Sequence, residues 1–200
     1  VNLRELSMFR HKELRLYVLT KVSLILTLVL TIPVLADGQA FNSVLNRELL
    51  TMEKADQDAR AACVKGTADE QIQCLAKISV TIDAPNTKRL EEIFDTYGFP
   101  NSRLVDKDGF SAFMILLQHS LSDKLREKSL KPIKKAFERK ELSPMDYANF
   151  IDRMRVHQGK DQLYGSNFEL KDGKLVMTRT VDPKNLDRRR AKIGLPPISE

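Results

Sequence analysis

Residues 110–117 read FSAFMILL, with Ser111 as the one polar side chain. A helix over about Phe110–Leu121 is therefore apolar on nearly every side, and such a helix has to be covered by other elements. It runs into Gln118 and His119, a polar pair close to the core. An amide or imidazole buried without a partner costs about 1–3 kcal/mol, so we expect each of them to have one.

Helical periodicity and helix-breaking residues predict further helices around this one. Gly66 is a natural stop, and Thr67 with Glu70 forms a capping box that begins a new helix. Pro132 lies inside another predicted helix, which it should kink or split. We expect these helices over about 41–65, 67–79, 83–98 (beginning near Asp83 or Asn86), 123–139 and 143–159, with a short one over 183–193.

Residues 163–180 have a different pattern, in which apolar and polar residues alternate on both sides of Asp172-Gly173. Asp-Gly between two alternating runs is a strong signal for a β-hairpin. The predicted fold class is therefore mainly α: a compact helical domain with a helical hairpin at its N-terminal end and one C-terminal β-hairpin.

The run Val22–Ala36 carries no charge and follows a basic stretch from Met8 to Lys21. This pattern, with small residues before Asp37, predicts a secretory signal peptide. The 15-residue run is shorter than the roughly 20 residues of a spanning helix; a retained single-pass anchor is the alternative. We expect a periplasmic or secreted protein that begins at Val1 or Met8 and keeps no stable membrane anchor after cleavage. The expected domains are 1–36 (signal peptide), 37–82 (helical hairpin) and 83–200 (a mostly helical globular part, forming one unit with 37–82).

The charge balance limits the kinds of partner that are expected, and the two cysteines indicate the cellular compartment. Without residues 1–36 the chain keeps 28 basic and 25 acidic residues, a balance that does not favour nucleic acid as a partner. The two cysteines, Cys63 and Cys74, flank the predicted turn at Gly66-Thr67. In an oxidising compartment this spacing predicts a disulfide, the alternative being two buried free thiols.

Polar residues near the end of the apolar helix form the candidate site. His119 can act as an acid or base near neutral pH, although a histidine that ties two helices together is the simpler explanation. Asp152 and Arg153 on the sixth predicted helix, and Gln162 and Tyr164 just beyond it, are the expected partners of His119.

Several familiar sites are excluded. The chain has no His-Glu-x-x-His, no Gly-x-Ser-x-Gly and no glycine-rich phosphate loop, so we expect no metal and no cofactor. A calcium loop with Gly109 at its sixth position would place Leu104 and Ile115 where carboxylates are required. The segment Asp106-Lys-Asp108-Gly109 is instead expected to be a turn leading into the apolar helix.

The order of the polar motifs resembles a bacterial domain family of unknown function. The resemblance covers about residues 83–198, with Phe99 at a position where that family often has Trp and without the family's common terminal Tyr. It carries no established activity, but it implies that the polar residues belong to one site. The motifs are Asp83-x-x-Asn86, Tyr97-Gly98-Phe99-Pro100, Gln118-His119, Tyr147-Ala148, Asp152-Arg153, Gln162-x-Tyr164-Gly165, Asp187-x-Arg189-Arg190 and Gly194-Leu195-Pro196.

Two classes of function follow from these residues. The first is a non-catalytic binding or interaction module of the cell envelope, for a protein or a small polar ligand, in which the polar set is a buried network. The alternative is an exported hydrolase-like enzyme in which Arg153 or Arg189 binds an anionic group. In that case the catalytic residues are His119 and Asp152, and the binding residues are Gln118, Arg153, Gln162, Tyr164 and Arg189.

Overall fold

The structure is a computed structural model that describes residues 40–171 and 174–198. The expected signal peptide and the turn residues Asp172-Gly173 lie outside the described residues. The helices are α1 Ser43–Ala62, α2 Ala68–Ile78, a π-helical segment Ser79–Asp83, α3 Ala84–Tyr97, α4 Ser102–His119, α5 Asp123–Glu138, α6 Pro144–His157, a 3₁₀ turn Pro183–Asn185 and α7 Leu186–Lys192. The strands are β1 Phe168–Lys171 and β2 Lys174–Met177.

The predicted fold class is confirmed. Helices make up most of the described chain, and β1 and β2 pair antiparallel with Lys171 opposite Lys174. The predicted Asp172-Gly173 lies between these two paired lysines in the sequence. The described residues belong to one compact unit. In the part of the chain covered here, no helix combines the length and the apolar character that a bilayer crossing requires.

The helical hairpin at the N-terminal end has the predicted cap and the predicted disulfide. The Thr67 side chain accepts from the Glu70 backbone N–H, and the Glu70 carboxylate accepts from the Thr67 N–H at 2.7 Å. Cys63 directly follows α1 and is joined to Cys74 of α2, with their Cα atoms 5.5 Å apart. The disulfide therefore holds the end of α1 against α2.

The predicted break between the second and third helices is wrong. The chain stays helical from Ala68 to Tyr97 through one π-helical segment, Ser79–Asp83, which lies directly before Pro85. Proline has no N–H, and its ring collides with the carbonyl four residues earlier in a regular α-helix. The wider π turn accommodates the proline without ending the helix.

Pro132 does not split α5, which continues as one helix from Asp123 to Glu138. Of the two expected effects, a kink or a split, the split is therefore wrong. The apolar residues of α5 face the core on both sides of the proline, with Leu125, Ile133 and Ala136 all buried. Burial of this face holds the helix together across the missing hydrogen bond.

The apolar helix α4 is longer than predicted and contains a sharp irregularity. It begins at Ser102 and ends at His119, and Asp106 within it has φ +51°. The Asp106 carboxylate accepts from the Gly109 N–H at 2.8 Å and from the Asn46 amide at 2.6 Å. Asp106 thus caps the buried part of α4. The expected turn over 106–109 is not present as such, because the only non-helical residues in this described helix are Val105 and Asp106.

The core lies around α4, and α1 packs along it more extensively than any other helix does. Phe113, Leu117, Leu49, Ile93 and Phe150 are at most 1% exposed. They come from α4, α1, α3 and α6, so the apolar helix is covered from several sides, as its composition predicts. Gly109 is the point of close approach, because a Cβ there would lie 1.9 Å from Asn46 Oδ1 on α1.

We predict that Gly109→Ala destabilises the protein by about 1–3 kcal/mol, because the new methyl group displaces Asn46 and breaks its hydrogen bond to Asp106. In an ordinary helix the same change stabilises by about 0.5–1 kcal/mol. The sign of the change in the free energy of unfolding therefore tells whether the Asn46 contact is present. Chemical denaturation of both proteins measures the difference.

Asn46→Ala provides the control. It removes the obstructing side chain, so adding Gly109→Ala to it should cost far less than in the wild type. Equal costs in the two backgrounds would show that the Asn46 contact does not explain the glycine.

Candidate functional site

His119 lies at the C-terminal end of α4, with its side chain 15% exposed. Its Nδ1 atom is 2.9 Å from Asp56 Oδ2 and 3.1 Å from Arg60 Nε, both on α1. The imidazole is therefore held by an acid–base pair from the neighbouring helix. The sequence analysis expected its partners among Asp152, Arg153, Gln162 and Tyr164, but no hydrogen bond joins His119 to any of these.

Asp56 is the most deeply placed member of this group, with no solvent exposure. Its carboxylate accepts from Arg60 Nε at 3.1 Å and from the neighbouring Gln57 amide at 2.8 Å, in addition to the His119 contact. Burial raises the pKa of Asp56, but hydrogen bonds and positive charge from His119 and Arg60 outweigh it and lower the pKa to about 2. Asp56 is ionised at neutral pH.

The charge of Asp56 favours one tautomer of His119. An ionised carboxylate only accepts hydrogen bonds, so the 2.9 Å contact favours the proton on Nδ1, although the 3.1 Å approach of Arg60 Nε to the same nitrogen suits a lone pair there. The Arg60 Nε–H then donates to Asp56 Oδ1. Nε2 is left with a lone pair, and it has no hydrogen-bond partner among residues 40–171 and 174–198. His119 is thus oriented through Nδ1, while its Nε2 makes no hydrogen bond to the described residues.

Arg60 joins the pair to a second carboxylate. Its Nη2 donates to Asp83, which lies in the π-helical segment before α3 and is almost fully buried, and forms an ion pair with Asp56 Oδ1 at 3.1 Å. Burial raises the pKa of Asp83, against the lowering effect of the Arg60 charge. The Asp83 side chain makes no capping hydrogen bond at the start of α3 and accepts from Arg60 of α1 instead.

Asp56, Asp83 and His119 also have the donor types of a metal site, and their ligand atoms lie within 4.8 Å of one another. The Arg60 guanidinium, however, contacts all three. It already supplies the positive charge that a cation would bring. A metal ion would have to displace Arg60 before it could use these donors.

Asp152 belongs to a different network. It is fully buried, and its two oxygens accept from the backbone N–H groups of Leu163, Tyr164 and Ser166 at 2.6–3.1 Å and from the Ser166 hydroxyl at 3.0 Å. All its interactions fasten the loop after α6. The carboxylate expected to be catalytic thus positions the backbone.

Gln162, Tyr164 and Arg189 lie around the same loop. The buried Gln162 amide bonds the backbone of Asn167 and Thr178 at 2.8–3.0 Å. Arg189 donates to the carbonyls of Leu163, Val181 and Asp182. Tyr164 is anchored through its backbone, and burial raises the pKa of its hydroxyl. The side chains of Gln162 and Arg189 therefore form hydrogen bonds within the protein.

Two predicted binding residues, Arg153 and Gln118, are free of this loop. Arg153 is partly buried and interacts electrostatically with Asp83, Asp56 and Arg60. Gln118 is half-buried beside His119, without a side-chain hydrogen bond in the described part of the chain. The predicted polar set therefore divides into a group near His119 and a loop network around Asp152.

Sequence analysis missed Asp56 and Arg60, although a signal was present. Leu45, Leu49 and Met52 form the apolar stripe of α1, and the same spacing continues to Asp56. A carboxylate at a core position of an amphipathic helix needs a buried partner, and Arg60 lies one turn further along. Ala55, Ala59 and Ala62 also recur at helical spacing, so they obscure this signal.

The low pKa of Asp56 makes it a source of stability that acid removes. A carboxyl group whose pKa is lowered on folding stabilises the fold above its unfolded value of 3.8, and this contribution disappears as the pH falls through about 2. We expect the free energy of unfolding to lose about 2 kcal/mol from this group between pH 5 and pH 2. In urea unfolding, the difference in the free energy of unfolding between wild type and Asp56→Asn should shrink by that amount from pH 5 to pH 2. A difference independent of pH would contradict the assignment.

Comparison with known proteins identifies a family and no activity. No curated protein and no solved structure matches the chain significantly. The sequence model of a family described as "Family of unknown function (DUF6624)" matches residues 43–200. The match includes α1 with Asp56 and Arg60, beyond the segment in which the motifs resemble such a family. The chain therefore belongs to DUF6624, a family of unknown function.

Proposed function

We propose that this protein is an acid–base enzyme of the hydrolase type, in which His119 transfers the proton and Asp56 orients its ring. The observation that carries the proposal is the 2.9 Å contact between the buried Asp56 carboxylate and His119 Nδ1. This contact leaves the other ring nitrogen, Nε2, as a base without a partner in the described residues. The partial exposure of the side chain lets water or a substrate reach it.

A carboxylate behind an imidazole supports proton transfer in two ways. It holds the tautomer whose outer nitrogen can accept a proton, and it stabilises the positive charge that the ring then acquires. Arg60 keeps Asp56 ionised and in place. Under this proposal Asp56 takes the role that the sequence analysis gave to Asp152, and Asp152 is a structural residue.

A second function, a non-catalytic binding or interaction module of the cell envelope, is favoured by a different observation. Asp152, Gln162 and Arg189 are bonded to the chain's own backbone, as expected of a polar network that specifies a fold. In such a module the His119 cluster is a further structural network.

His119→Ala separates the two functions. For an enzyme we expect hydrolysis of a chromogenic ester or phosphate ester by the wild type, with kcat/KM about 10²–10⁴-fold lower in the variant. The melting temperature should stay the same or rise, because active-site groups are often kept at a cost to stability. For a module, the wild type shows no turnover and the variant is destabilised by about 1–3 kcal/mol through its orphaned partners.

Asp152→Asn is the comparison for a structural residue. It replaces an acceptor of several backbone N–H groups by an amide that cannot accept them all, so we expect it to lower stability by about 1–3 kcal/mol. If His119→Ala has the same thermal profile as Asp152→Asn and the same residual turnover, the catalytic assignment of His119 is wrong.

We further propose that the protein acts outside the cytoplasm. The disulfide between Cys63 and Cys74 supports this location, since such bonds persist mainly in oxidising compartments. The uncharged run Val22–Ala36 supports export as well. N-terminal sequencing of protein from the periplasm or medium should begin at Asp37, or at Phe41 if cleavage follows Ala40. Recovery of only full-length protein from the cytoplasm would contradict export.

A further inference from the structure

Arg126 and Arg153 bring two guanidinium groups near the His119 end of α4. Arg126, on α5, is 4% exposed. One of its terminal nitrogens donates to the carbonyl of Ser120, the residue after His119, and the other to Asp123. Its Nε is buried and has no hydrogen-bond partner in the described residues. A buried N–H left in this way is costly and rare in folded proteins.

Arg153, on α6, lies in the same neighbourhood. It is partly buried, and its guanidinium makes no hydrogen bond to any residue that the structure describes. Burial lowers the pKa of Arg153, and the charges of Arg60 and Arg126 lower it further, against the opposite effect of Asp83 and Asp56. These carboxylates offset part of the charge of Arg153, but neither accepts a hydrogen bond from its guanidinium.

The nearby carboxylates do not satisfy these donors. Asp56 and Asp83 are bonded to Arg60, and Asp56 also to His119. The Asp123 side chain is 68% exposed and reaches only a terminal nitrogen of Arg126. The guanidinium of Arg153 and the Nε of Arg126 therefore both lack an acceptor, and one anionic group could supply it to each.

We propose that Arg153 and Arg126 form the binding site for an anionic group, a carboxylate or a phosphate, on the ligand of this protein. This inference rests on the proposed function, because it places the anion beside His119, where the rest of the ligand meets the free ring nitrogen. A planar guanidinium binds two oxygens of such a group at once, and the Arg126 Nε–H adds a further donor.

This assignment also decides between the two arginines that the sequence offered as anion binders. The Arg189 guanidinium is occupied by three backbone carbonyls. Arg153 has no such partners. Arg153 is also the better residue to substitute, since Arg126 holds the backbone at Ser120 and its loss would disturb the end of α4.

The test measures anion binding to the folded protein without any turnover. Thermal melts and calorimetric titration are carried out with sodium phosphate, sodium acetate and sodium chloride at equal ionic strength. We expect phosphate or acetate to raise the melting temperature by several degrees at saturating concentration while chloride does not. The oxyanion with the larger effect identifies the group. If neither exceeds chloride, the proposal is overturned.

Arg153→Gln and Arg188→Gln form a matched pair, because each removes one positive charge and Arg188 lies exposed on α7. We expect the dissociation constant of the bound oxyanion to rise at least tenfold in Arg153→Gln and to stay unchanged in Arg188→Gln. Without anion, Arg153→Gln should melt no lower than wild type, since it loses a guanidinium that has no hydrogen-bond partner in the described residues. If both variants weaken oxyanion binding equally, the effect comes from the net charge of the protein and the proposed site is wrong.

Arg153→Lys covers the case in which the glutamine variant does not fold. It keeps the charge and loses the planar fork, so binding should again weaken about tenfold. The two proposals fail in different ways. If oxyanion binding depends on Arg153 but no ester is hydrolysed, the proposed enzymatic function is wrong and the anion site stands. If hydrolysis depends on His119 but its KM is unaffected by Arg153→Gln, the anion site is wrong and the enzymatic function stands.

Discussion

The burial of the Asp56 carboxylate is the constraint on which the candidate site depends. A charge without solvent exposure persists only where fixed donors replace water. Here His119 from α4 and Arg60 from α1 supply them, and Arg60 in turn engages Asp83 from the π-helical segment. Three elements are thereby tied at one point, which lies one turn before the disulfide that fastens the end of α1. The same interactions favour one tautomer of His119.

The two polar networks of this protein differ in what they leave unsatisfied. Around Asp152 the donors and acceptors meet within the chain, and their effect is to fasten the loop between α6 and the hairpin. Around His119 the Asp56 carboxylate is satisfied, but the buried Nε of Arg126 has no hydrogen-bond partner in the described residues. Buried polar groups normally find a partner within the chain, so this unmatched donor is the observation on which the proposed anion site rests.

Features that depend on a few neighbouring residues were predictable. The Thr67–Glu70 capping box, the start of α6 at Ser143-Pro144 and the antiparallel register of β1 and β2 all follow from local chemistry. The prolines were not predictable in this way. Pro85 and Pro132 have the same local preference to end a helix. Pro85 nevertheless follows a π-helical segment within a continuous helical stretch, and Pro132 lies inside α5. Packing of the flanking apolar faces outweighs the loss of one hydrogen bond, and that packing is not a local property.

The sequence by itself determined the helical class, the hairpin and the disulfide partners, because each rests on periodicity, spacing or residue chemistry within a short segment. Only the tertiary structure decided which residues surround His119. Asp56 and His119 are 63 positions apart, and they meet because α1 packs closely along α4 at Gly109. The spacing of motifs along the chain could not distinguish Asp56 from Asp152 as the partner carboxylate, since both are buried acids on helices. The direction in which each helix presents its acid is set by the packing of the whole core.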